Sequence, residues 1–157
     1  MMGFPGIRSL LVAVAGLGLV GAAGCVRTVP YAQRMEVEGE KCTLLQALMR
    51  QPAPAQAVQR FVAEGKEAKA PVVVYVRRPE DATLERFFSE GTQCTDATFK
   101  VVQENVVDAV VVYLQEVQGG YAYDAQRSSP EHLSMDGRPQ GTVRKDGAVW
   151  VAGADVI

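Results

Sequence analysis

The chain has 157 residues, 48% of them apolar and 22% charged, with 16 basic residues against 18 acidic ones and a formal charge of −2. That length and composition describe one globular domain with room for a real core. The near-balanced charge provides no basic footprint for nucleic acid or for anionic lipid, so a nucleic-acid partner is not expected.

The first 24 residues read as an address. Met1 to Ser9 carries Arg8 as its only charge, and the fourteen residues from Leu10 to Ala23 are Leu, Val, Ala and Gly alone. A basic start, a short apolar stretch and a small-residue exit are the parts of a secretory signal. The exit, Ala22-Ala23-Gly24-Cys25, resembles the lipobox of bacterial lipoproteins, with Ala22 where that family usually shows Leu. The resemblance implies cleavage after Gly24 and lipidation of Cys25 (palmitate among the acyl chains). Val26 follows in place of Asp, which in that family resembles proteins sent to the outer membrane, facing the periplasm. Two other readings stay open. Ala22 and Gly24 also suit ordinary signal cleavage, releasing a soluble protein, and Leu10 to Val26 reaches the lower edge of a membrane-spanning length.

Residues 25–39 are expected to form the lipidated N-terminus and a short tether, and residues 40–157 a single domain. Apolar residues at 44, 45, 48 and 49 predict a helix ended by Gln51-Pro52. A second helix is expected from about Pro54 to Glu64, with Gly65 closing it. Pro71-Val72-Val73-Val74-Tyr75-Val76 is apolar on both faces and predicts a buried central strand. Helices are expected over Ala82–Glu90, capped by Asp81, and over Ala97–Asn105, followed by a second buried strand at Ala109–Leu114. Gly119-Gly120 predicts a turn, and Tyr121 to Asp124 a short edge. Ser128 to Leu133 predicts one helical turn, and Asp146-Gly147 between β-prone runs a terminal hairpin.

This order resembles the thioredoxin-like fold, carried by Val62-Ala63-Glu64-Gly65-Lys66 running into Ala70–Val74, by Asp96–Val117, and by Pro139-Gln140-Gly141-Thr142-Val143 with the hairpin behind it. The resemblance implies an α/β mixed sheet flanked by helices, parallel pairing of Pro71–Val76 with Ala109–Leu114, and a cis bond before Pro139. The rival architecture is an antiparallel α+β sheet. Where that family holds its redox cysteines, at a helix N-terminus after the first central strand, this chain has Arg77-Arg78-Pro79-Glu80-Asp81. Arg77, Arg78, Glu80 and Asp81 are therefore a candidate binding loop for a carboxylate or an acidic chain, and no catalytic residue carries over.

Beyond Cys25 the cysteines are Cys42 and Cys94, and in an exported protein they predict a structural disulfide worth roughly 4 kcal/mol for a loop of about 50 residues. A lowered thiol pKa at Cys94, ahead of an expected helix, is the competing reading. Their separation fits no metal or C-x-x-C pattern, and His132 is the one histidine, so no metal or cofactor is expected. Glu36, Glu38, Glu40 and the Glu80-Asp81 pair read as solvated charge, His132 as a surface residue and Trp150 as core. Tyr121 and Tyr123 share one face, as a partner interface or as packing. Two functions follow: a non-catalytic, lipid-anchored module that binds or scaffolds an envelope protein, or an unconventional thiol–disulfide protein using Cys42 and Cys94.

Overall fold

The computed structural model describes residues 30–65, 67–104, 106–129 and 138–153. Two helices lead, α1 (Tyr31–Met49) and α2 (Pro52–Ala63), followed by strands β1 (Ala70–Arg77), β2 (Leu84–Arg86), β3 (Phe99–Val101), β4 (Ala109–Val117), β5 (Gly120–Ser128), β6 (Gly141–Asp146) and β7 (Val149–Ala152). Leu44, Leu45, Leu48 and Met49 of α1 are buried, as their spacing requires. Pro52 opens α2 in its first turn, where its missing N–H costs nothing, and Gly65 at φ 71° accepts the left-handed exit, its N–H donating to the Val62 carbonyl.

The strands form one mixed sheet in the order β2-β1-β4-β5-β6-β7, with β3 also paired to β1. β1 and β4 run parallel in register from Val72↔Val110 to Arg77↔Gln115. From β4 onward every pairing is antiparallel, β4 to β5, β5 to β6 and β6 to β7. β2 pairs antiparallel with residues 75–77 of β1, and β3 parallel with residues 70–72. Both therefore lie along the side of β1 that β4 does not occupy.

Alternation along β1 and β4 builds two cores. Val72, Val74, Val110, Val112 and Leu114 join Leu44, Leu45, Leu48, Val58 and Phe61 of the helices, together with Tyr123 and Val143. Val73, Tyr75, Ala109, Val111 and Tyr113 form a smaller cluster on the opposite face with Leu84, Val102 and Val106. Apolar residues on both faces are what the continuous β-branched runs foretold.

The α/β mixed sheet with flanking helices matches the expectation, and so do the parallel pair and the terminal hairpin. Three elements differ. The helix expected over Ala82–Glu90 is absent: Arg78 to Thr83 is instead a hairpin loop, closed by Arg78 N–H to Thr83 O at 2.9 Å, leading into β2. The helix expected over Ala97–Asn105 is replaced by β3. Phe99 and Val101, two apart, pair with an unfilled strand edge, and that pairing outweighs a weak helical stripe. The tether expected through Gly39 ends at Pro30, because α1 already begins at Tyr31. Its inward position there is Glu38, so the stripe was broken by a charge. Among the described residues no peptide bond is cis, which corrects the expectation at Pro139. The helical turn placed at Ser128–Leu133 lies mostly outside the described residues.

Candidate functional site

The candidate binding loop sits at the C-terminal end of β1. Asp81 folds it locally: its Oδ1 accepts from the Thr83 amide at 3.0 Å and the Thr83 hydroxyl at 2.7 Å. These bonds, foremost the hydroxyl one, hold the Asp81 carboxyl below its ordinary range. Ala82 takes a left-handed φ of 59° to close the loop. Arg78 pairs with Glu85 of β2, and that hydrogen bond and charge raise its pKa. Arg77, Arg78, Glu80, Glu85 and Glu116 surround a depression of about 370 Å³. Three of the four predicted residues, Arg77, Arg78 and Glu80, thus line it together with acidic neighbours, while Asp81 is held by Thr83 and does not. No helix begins there, so the helix-terminus argument for carboxylate binding is withdrawn.

Arg77 turns to the face opposite the helices. There it lines a cavity of about 80 Å³ with Tyr113, Gln115, Ala122, Tyr123, Asp124 and Pro139. Its Nε is buried without a hydrogen-bond partner, while Asp124, 5% exposed, accepts from Gln126 Nε2 at 2.6 Å. Asp124 and Gln115 were not singled out from sequence. They stand opposite Tyr113 and Ala122 on neighbouring strands, a register no single stretch reveals.

A second polar cluster joins α1 to the crossover between β2 and β3. Glu38 is 6% exposed. Its carboxylate accepts from Lys41 Nζ at 2.8 Å, Thr92 Oγ1 at 2.8 Å, Ser89 Oγ at 3.0 Å and the Ser89 amide at 3.2 Å. Burial pushes its pKa up, but the bonds from Lys41, Thr92 and Ser89 together outweigh burial and leave it lowered. Lys41 also donates to the Phe87 carbonyl at 2.8 Å and lies over the Phe87 ring. The solvated reading of Glu38 is corrected; a buried carboxylate needs such a set of donors. One turn along α1, Cys42 is disulfide-bonded to Cys94, with Cα atoms 5.6 Å apart. Cys94 is 2% exposed and precedes no helix, so the reading of an activated thiol at a helix start is corrected too.

Tyr121 and Tyr123 both point toward the helices, and β5 lies inside the sheet rather than at its edge, which decides for packing. Tyr121 bridges Phe87 and Trp150, with ring centroids at 5.8 and 6.2 Å. Trp150 is partly buried against the core, as expected. Cys25 and His132 lie outside the described residues.

Among the described residues, no group of three or more His, Cys, Asp or Glu is placed to hold a metal ion, and no helix is long and apolar enough to cross a membrane. Compared with known families, curated proteins and solved structures, the chain finds no match.

Proposed function

We propose that this chain is a lipid-anchored lipoprotein of the bacterial cell envelope, held by Cys25, facing the periplasm from the outer membrane, whose domain binds or scaffolds an envelope protein without catalysis. The observation that carries the reading is the bond between Cys42 and Cys94, the two cysteines downstream of the lipobox-like exit. A disulfide of this kind persists in exported proteins and is rare in reducing compartments. Removal of the leader takes Arg8 with it, so the attachment rests on acyl chains rather than on charge. The loop bearing Arg77, Arg78, Glu80 and Asp81 offers a partner mixed charge beside an apolar rim that includes Val76 and Pro79. Burial of Cys94 disfavours the alternative, a reversible redox pair, because exchange requires access to sulfur.

The test is fractionation. Cys25→Ser is expected to move the protein out of the membrane fraction and to abolish incorporation of labelled palmitate. Unchanged fractionation would remove the anchor. Cross-linking of the tethered protein followed by identification of its neighbours tests the partner, and efficient insulin reduction by the purified protein would replace the binding role with a redox one.

A further inference from the structure

α1 reaches past the body of the fold. Its first seven residues, Tyr31 to Val37, are all exposed, and burial starts at Glu38. Tyr31 is 74% exposed and Met35 55%. Yet Tyr31 shares a helix face with Glu38, Cys42 and Leu45, two, three and four turns on. The inward stripe thus continues beyond the sheet that it packs on. Arg34 and Met35 flank Tyr31 on that side, while Glu36 falls on the opposite one.

The overhang has a fixed place in the molecule. Lys41 bonds the Phe87 carbonyl next to β2, and Glu40 pairs with Lys145 near the β6–β7 turn. The helix is thus fastened to the body of the fold directly behind the overhang.

Resting on the anchor proposed above, the spacing decides what lies against this surface. Five residues, 26–30, separate Cys25 from Tyr31. A chain covers at most about 3.6 Å per residue, so Tyr31 stays within about 20 Å of the acylated residue along any path. A 19-residue helix is itself about 28 Å long. With so short a leash the start of α1 is the part of the domain that meets the lipid. Tyrosine, a thioether and an arginine that can extend its head to phosphate are side chains suited to the headgroup layer. We infer that the α1 overhang, through Tyr31, Arg34 and Met35, seats in the headgroup region of the phospholipid bilayer.

The experiment uses the full, lipidated chain reconstituted into vesicles of phosphatidylethanolamine and phosphatidylglycerol. Nitroxide labels are placed at Tyr31→Cys and Met35→Cys, and at Arg60→Cys as a control. Arg60 lies on α2, beside the Glu64–Arg127–Asp108 cluster. All three positions are exposed, so the labels displace no packed side chain. Collision with oxygen is expected to exceed collision with a nickel chelate severalfold at 31 and 35, with the order reversed at 60. Aqueous behaviour at all three labels in protein that floats with the vesicles would overturn this inference and leave the anchor standing. Protein that fails to float overturns the anchor and this inference with it. Spin–spin broadening at 31 and 35 that grows with the protein-to-lipid ratio would assign the surface to a second copy and also overturn it.

Discussion

At the scale of single residues, Glu38 is the most consequential charge in the described fold. Four hydrogen bonds satisfy a carboxylate that burial alone would penalise. Glu38→Gln keeps the shape but loses the charge on these bonds, and is expected to cost about 1–3 kcal/mol in urea unfolding at neutral pH. The pH dependence follows from the lowered pKa. A carboxyl whose folded pKa lies below its unfolded value of 4.5 stabilises above that value, and the stabilisation disappears as pH falls through the folded one. Acid titration of stability should therefore be shallower in Glu38→Gln than in the parent below about pH 4.5; equal slopes would contradict the assignment. Gly120 is a second sensitive position, for a steric reason. A Cβ there would lie 2.0 Å from the Val143 carbonyl oxygen across the β5–β6 pairing. Because the obstacle is backbone, Gly120→Ala is expected to lower stability by about 1–3 kcal/mol, measured as a drop in thermal midpoint.

At the scale of elements, what the sequence disclosed depended on whether an element's signal was local. The runs at Val72–Val76 and Ala109–Leu114 announced buried strands because both their faces are covered, and Asp146-Gly147 announced its hairpin through turn chemistry. β2 and β3 were hidden, since each is three residues long and owes its form to the free side of β1. The same reason concealed the polar cavity: Arg77, Gln115 and Asp124 come from three strands whose register only the fold provides. The start of α1 was hidden by its own buried charge. The disulfide was legible from the count of cysteines, and so was the loop that carries Cys94. It fastens α1 to the stretch between β2 and β3, a segment with little regular structure. Cys42→Ala is expected to destabilise by about 2–5 kcal/mol, and reductant added to the parent should lower its thermal midpoint comparably. Mass spectrometry finding both thiols free in protein from its native compartment would refute the bond.

At the scale of the whole molecule, stability should be graded from the parallel pair outward. β1 and β4 are bonded on both sides and buried on both faces, whereas β7 pairs only with β6 and exposes Val149 and Val151. Native-state hydrogen exchange is expected to protect amides of Val73, Val74, Val111 and Val112 the longest, near the global unfolding limit, and those of β7 the least. Comparable protection in β7 and β4 would mean that the terminal hairpin belongs to the same cooperative unit as the centre. The brevity of β2 and β3 on the other side leaves little continuous backbone to recruit another chain.

The span of the disulfide also sets a timetable. Cys42 and Cys94 are 52 residues apart, and a chain exported N-terminus first delivers Cys42 well before its partner. Cys25, only a short distance upstream, arrives earlier still. Were it to keep its thiol, three sulfurs would allow three different pairings, and the nearest in sequence would have the first opportunity. In the proposed lipoprotein the lipid is joined through a sulfur–alkyl carbon bond, and the resulting thioether at Cys25 cannot enter exchange. In the proposed lipoprotein, then, the lipid does more than hold the domain at the membrane. It removes the rival thiol early and leaves Cys42 to wait for the one correct partner.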